Sequence, residues 1–182
     1  SFGIGDLYLI KVESFHSERI RPPAQDGFDA ALDFQPDWGA LPPAFQPPRH
    51  WRLLNRIGVK HRHPFVLNRV YAYSQVVQAM ISRRPVSYPR FPCVVPSWDN
   101  TARRRNGNAT IFHESSPLVY GQWLASVISD SSMLSKLPEP VLFINAWNEW
   151  GEGNHLEPDL RSRSDYLRET ASILHNYNSN HC

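Results

Sequence analysis

Two stretches of this chain, LYLIKV (Leu7 to Val12) and VLFINA (Val141 to Ala146), are almost continuously apolar. A strand with one face in water alternates apolar and polar residues. Near-continuous runs belong to strands covered on both faces, as in parallel sheets flanked by helices. FDAALDF (Phe28 to Phe34) and FPCVV (Phe91 to Val95) read as two further strands. Helical spacing fills the intervals. Ser74 to Ser82 places Val76, Val77, Met80 and Ile81 on one side, and Ser116 followed by Pro117 is an N-cap with proline in the first turn. The helix that Ser116 opens buries Tyr120, Trp123, Leu124, Val127 and Ile128, and a last one after Ser164 carries Tyr166, Leu167, Thr170, Ala171, Leu174 and Tyr177. Strands alternating with helices predict an α/β fold with about four parallel strands, either an open doubly wound sheet or part of a (β/α) barrel.

The polar residues favour the barrel. They follow the strands, at Glu13, at Trp98, Asp99 and Asn100, and at Asn148, Glu149 and Glu152. That is the end where barrel enzymes carry their chemistry. A complete barrel has eight strands, so four make the C-terminal half of a (β/α)8 TIM-type barrel, with the N-terminal half expected upstream of Ser1. On this reading residues 1–182 are a single partial domain, and the missing half is the partner its stability needs.

Composition removes several function classes. A net charge of +2 over 182 residues, with arginines scattered along the chain, gives no basic stripe for nucleic acid. No apolar run reaches the roughly 18 to 20 residues of a membrane span. Cys93 and Cys182 have no metal-ligand spacing, and neither a disulfide nor a zinc site is expected. The stretch from Gln35 to His50 is rich in proline and aromatics, and reads either as a substrate-facing loop or as one packed over the rim.

The densest chemistry lies in FINAWNEWGEGNHLEPD, residues 143–159. Glu149 and Glu152, at i and i+3, fall on one side of a helical turn with Cβ atoms roughly 5 to 6 Å apart. Paired carboxylates at about 5 to 5.5 Å suit glycoside cleavage with retention, since no water fits behind the sugar. Two close carboxylates also raise one pKa, which leaves a proton to donate. Trp147 and Trp150 offer flat faces for sugar C–H surfaces and Asn148 a polar group for hydroxyls. An isolated E-x-x-E pair is ordinarily a solvated helix face, but two tryptophans directly after a buried strand set this one apart. The Glu-x-x-His spacings at Glu13/His16 and Glu152/His155 resemble di-iron ligand pairs, yet those sit on long helices and these do not. His61 and His63 lie in a basic loop segment, and no metal or cofactor is implied. In VVPSWDNTARRR, Asp99 could hold sugar hydroxyls and Arg103 an acidic substituent, or the two could form a structural ion pair.

PSWDNTARR, ATIFHESSPLVYGQWL, LFINAWNEWGEGNHLEPD and the following YLRET, together with GFDAALDFQP, resemble WbsX-type proteins. These are glycoside hydrolase family 99-like domains found with lipopolysaccharide and polysaccharide biosynthesis. The resemblance implies a (β/α) barrel and a carbohydrate substrate, with Glu149 and Glu152 as the catalytic pair. It further implies a retaining mechanism in which Glu149 deprotonates the sugar 2-hydroxyl to give a 1,2-anhydro sugar while Glu152 serves as acid and then base. Trp98, Asp99, Arg103, Trp147, Asn148, Trp150 and His155 are the expected substrate-binding residues. Glycosyl transfer onto a growing polysaccharide, or sugar binding without turnover, are the alternatives.

Overall fold

β-Branched and aliphatic residues next to small ones give the first ladder of the computed structural model, which describes residues 5–19, 21–56, 64–104, 107–130 and 137–181. β1 (Ile10–Glu13) pairs in parallel with β2 (Ala30–Asp33), Ile10 opposite Ala30 and Glu13 opposite Asp33. β2 in turn pairs in parallel with β4 (Arg90–Phe91). Across Pro92 the chain continues as β5 (Cys93–Val94), which pairs in parallel with β7 (Phe143–Ile144). The four strands read from the sequence are therefore neighbours in the order 7, 28, 91, 141, all pointing the same way. No barrel is closed among the described residues.

A second parallel pair, β3 (Arg69–Ala72) with β6 (Thr110–His113), was not expected. Neither RVYA nor TIFH is apolar throughout, and each is short. Two helices, α1 (Arg49–Arg56) and α2 (Pro64–Leu67), also lie in stretches without a clear sequence signal. The long proline-rich stretch before α1 is irregular, and its Trp38 packs edge-on against Trp98 with ring centroids 5.2 Å apart. His61, His63 and Cys182 lie outside the described residues.

The core forms where α3 (Tyr73–Ile81), α4 (Pro117–Ser129) and α5 (Asp165–His181) meet β3, β5 and β6. Ser116 caps α4 by accepting from Val119 N–H, and Pro117 occupies a position whose N–H has no helical partner to lose. The face expected of α4 is buried throughout, from Tyr120 and Trp123 to Ile128. Gly121 lets α5 come close, because a Cβ there would stand 2.2 Å from Glu169 Oε1. The Tyr120 hydroxyl meets Thr170 Oγ1 at 3.0 Å across the same contact. On α3, Val76, Val77 and Met80 are buried as expected while Ile81 is exposed. On α5 the buried face is rotated, with Tyr166, Leu167, Ile173 and Tyr177 inward and Ala171 and Leu174 outward.

A second interior feature is charged. Glu13 and Asp33, adjacent in register and on one side of the sheet, meet Asp37, Arg19, Arg83 and Arg90. Arg90 binds Asp33 at 2.6 Å and Glu13 at 3.1 Å, Arg19 binds Asp37 at 2.6 Å, and Arg83 spans Asp33 and Asp37. Three acids and three arginines balance, as buried charge requires. Burial still pushes the Glu13 carboxyl above its ordinary value, against the pull of Arg90, the Tyr88 hydroxyl and Arg19.

Candidate functional site

After β7 the chain leaves the sheet. The carbonyls of Ala146 and Trp147 accept from Leu156 N–H at 3.0 and 2.9 Å, so the expected strand end turns into a hairpin. Its arms are β8 (Asn148–Glu149) and β9 (Asn154–His155), antiparallel, joined by a short 3-10 turn over Trp150–Glu152. Glu149 thus ends a strand and Glu152 ends the turn, rather than both riding one helix. Gly153 closes the turn at φ 56°, a left-handed conformation that glycine adopts without a Cβ penalty. It also lies under the segment after β5, since a Cβ would stand 2.9 Å from Asp99 O. Asp99 N–H donates to Glu152 O at 2.7 Å, and Ser97 Oγ donates to Gly153 O at 2.5 Å. The two dense motifs of the sequence are thereby locked together.

Their side chains meet at one guanidinium. Arg103, from the 3-10 turn Thr101–Arg103, donates from Nη2 to Glu149 Oε1 at 2.6 Å and from Nη1 to Glu152 Oε1 at 3.1 Å. Both carboxylates are therefore within a few ångströms of a single cation. The expected alternative of an Asp99–Arg103 ion pair gives way to this arrangement, and Asp99 Oδ1 accepts from Thr101 N–H at 3.0 Å. Burial raises the Glu152 carboxyl above its ordinary value, Arg103 draws it down, the Glu149 charge pushes it up, and Arg104 draws it down again; the net direction is up.

The aromatics divide into two groups. Trp147 and Trp150 are about half exposed, and one face of Trp150 is covered by the His155 ring, stacked at 3.9 Å. Trp150 Nε1 donates to Glu157 Oε2 at 2.7 Å, and Asn148 stands exposed on β8. His155 Nε2 pairs with Asp159 Oδ2 at 2.8 Å, so its ring is taken up by Trp150 and Asp159. Trp98 is buried against Trp38 and Phe112. Trp98, Asp99 and His155 line a cavity of about 350 Å³, together with His113, Glu114 and Arg161. The two glutamates do not line it. Three buried polar groups nearby, Trp98 Nε1, His155 Nδ1 and the Asn154 amide, have no hydrogen-bond partner among the described residues.

Sequence reading missed the contribution of His113, Glu114, Asp159 and Arg161 to this cavity. The available signals were HES directly before the α4 cap and EPD after the hairpin. Among the described residues no group of three or more His, Cys, Asp or Glu side chains is placed to hold a metal ion. Among the described residues no helix is long and apolar enough to cross a membrane.

The model of the glycosyltransferase WbsX family matches residues 1–170. The chain belongs to the WbsX family. Two curated relatives, both named uncharacterized protein WxcX and found in two strains of Xanthomonas campestris pv. campestris, are 35% identical to it over 173 residues. That alignment covers 94% of this WbsX-family chain and 23% of each relative, so the chain spans less than a quarter of their length. No solved structure matches it significantly.

Proposed function

We propose that this chain supplies the C-terminal half of a (β/α)8 barrel that acts on glycosidic bonds of a polysaccharide, with Glu149 and Glu152 as its catalytic pair. The observation that carries the reading is the convergence of both carboxylates on Arg103, in a hairpin that directly follows a parallel strand. The order of the four parallel strands, with helices in the connections after β2, supports the half-barrel, and an upstream half would complete it.

In the proposed reaction Glu149 takes the proton of the sugar 2-hydroxyl. The freed oxygen attacks C1, the bond from C1 to the leaving oxygen breaks, and Glu152 delivers its proton to that oxygen. A 1,2-anhydro sugar results. Glu152 then deprotonates an incoming hydroxyl, which opens the anhydro ring at C1, and the 2-oxygen recovers its proton from Glu149. The raised Glu152 carboxyl suits the donor role. The exposed faces of Trp147 and Trp150 suit sugar C–H surfaces, and Asn148 stands beside them for hydroxyls. Trp98, Asp99 and His155 would hold a neighbouring sugar unit through their cavity. Water as acceptor makes the protein a hydrolase, and a sugar hydroxyl makes it a transferase. The family description favours the second acceptor, and the carboxylate chemistry is the same for both.

The test is a leaving-group comparison on the intact protein. Glu152→Gln should lose about 10²- to 10⁴-fold in kcat/KM on glycosides with poor leaving groups and much less on an activated aryl glycoside. Glu149→Gln should lose a comparable factor on both. Equal losses for Glu152→Gln on the two substrates contradict its acid role, and a parent that binds oligosaccharide without turning it over replaces the enzyme reading with a binding module.

A further inference from the structure

The proposed chemistry leaves one group unexplained: a cation lying across the two carboxylates that are to do the work. Arg103 is half exposed, so burial does not force it there. Its position depends on a specific vacancy. A Cβ on Gly151, in the middle of the turn between the glutamates, would stand 2.6 Å from Arg103 Nε, 3.0 Å from Nη2 and 3.2 Å from Cζ. The backbone of Gly151 is not left-handed, unlike that of Gly153, so its conformation does not demand glycine. What the missing side chain provides is a groove in which the guanidinium lies flat over the turn and reaches a carboxylate on either side.

We infer that Arg103 is a positioning residue, a latch that holds Glu149 and Glu152 together and whose withdrawal from Glu152 frees that group to carry its proton. This inference rests on the acid role proposed for Glu152. A guanidinium in contact draws a carboxyl toward its ionised form, here against the upward push of burial, and only the protonated form can donate. Once the guanidinium withdraws, burial and the adjacent Glu149 charge both favour the protonated form of Glu152. Entry of a sugar between the carboxylates would force that withdrawal, so protonation follows occupancy.

The surroundings leave Arg103 as the group that decides. From its own segment the other cation is Arg104, which acts on Glu152 without a hydrogen bond to it. From β8 the charged neighbour is Glu149. The Asp99 carboxylate turns to Thr101 N–H while its backbone meets Glu152 O. From β9, His155 is engaged by Trp150 and Asp159.

Titration of the Glu152 carboxyl in the intact protein, by NMR of carbon-13-labelled glutamate assigned with Glu152→Gln, tests the latch without any need for turnover. Arg103→Ala should raise the midpoint by about one pH unit or more, the scale of removing an opposite charge in contact. Gly151→Ala should raise it in the same direction with Arg103 still present, because a flexible guanidinium yields to the new methyl group more readily than backbone would. The double variant should go no higher than Arg103→Ala alone. A Gly151→Ala midpoint at the parental value overturns the inference, as does a Gly151→Ala shift that persists undiminished when position 103 is already alanine. A parent without turnover removes the proposed reaction but leaves this titration to decide the latch, so the two failures are separable.

Discussion

Arg83→Met is the sharpest test of the buried charge network at the end of β2. Arg83 Nη1 lies 2.9 Å from Asp33 Oδ1 and 3.0 Å from Asp37 Oδ2, and Nη2 pairs with Asp33 Oδ2. Methionine keeps most of the aliphatic stem and removes the charge. Removing one partner of a buried pair costs about 3 to 5 kcal/mol, because the remaining charge is stranded. Here neither acid is left alone. Asp33 keeps Arg90 at 2.6 Å and Asp37 keeps Arg19 at 2.6 Å, so the lower end, about 3 kcal/mol, applies. For a chain of this length each kcal/mol moves the melting temperature by about 2 to 4 °C, which predicts a fall of about 6 to 12 °C. Three arginines against three acids become two against three, and Asp37 loses one of the cations that hold its carboxyl down. The penalty should therefore be greatest near neutral pH and shrink as the acids protonate. Urea unfolding at several pH values, followed by far-UV circular dichroism, reads both quantities. A loss under about 1 kcal/mol, with no dependence on pH, would show that the network behaves like surface ion pairs and refute the reasoning.

Two further outcomes follow from named groups. Gly153→Ala places a Cβ in left-handed backbone and against Asp99 O, so it should cost at least about 1 to 2 kcal/mol in urea unfolding; a stability equal to the parent would mean that the hairpin does not rest on the segment after β5. Burial works against the charge of Asp37, but Arg19, Arg83 and Gly39 N–H outweigh it and hold the carboxyl below its ordinary value. The unfolded chain therefore binds this proton more tightly, so the stabilisation is present above the ordinary aspartate value and is lost as pH falls through the folded one. Asp37→Asn should flatten the acid limb of a melting-temperature profile, and an unchanged limb would assign acid sensitivity elsewhere.

How far the sequence carries can be judged residue by residue. Tyr120, Trp123, Leu124, Val127 and Ile128 were legible because helical spacing is a local signal and one face of α4 meets the core throughout. VLFINA was legible as a strand but not in extent. Only Phe143–Ile144 form ladder, since Ala146 and Trp147 give their carbonyls to Leu156 and Glu157. β3 and β6 escaped because four-residue strands have little periodicity to detect, and their pairing spans about forty residues. The nearness of Glu149 and Glu152 was legible from their three-residue spacing, whereas their hairpin was not. Arg103 was singled out with the wrong partner in the structural alternative, because Asp99 is close in sequence and the glutamates are close only after folding. Arg19, Arg83 and Arg90 looked scattered for the same reason, each finding its acid through the sheet.

Pro92 gives the segment from Arg90 to Val94 an unusual position in this fold. Before it, the strand bonds to β2; from it onward, the Pro92 and Val94 carbonyls accept from Phe143 and Asn145 at 2.9 Å on the opposite edge. Proline lacks the N–H that a continuous ladder on both edges would require, and here only its carbonyl is used toward β7. Five residues therefore act as the splice between the charged strand pair and the strand that leads into the glutamate hairpin. A mechanical load or a thermal fluctuation that parts this splice separates both sides at once, so the amides it protects should share one opening event with the core instead of fraying from an edge.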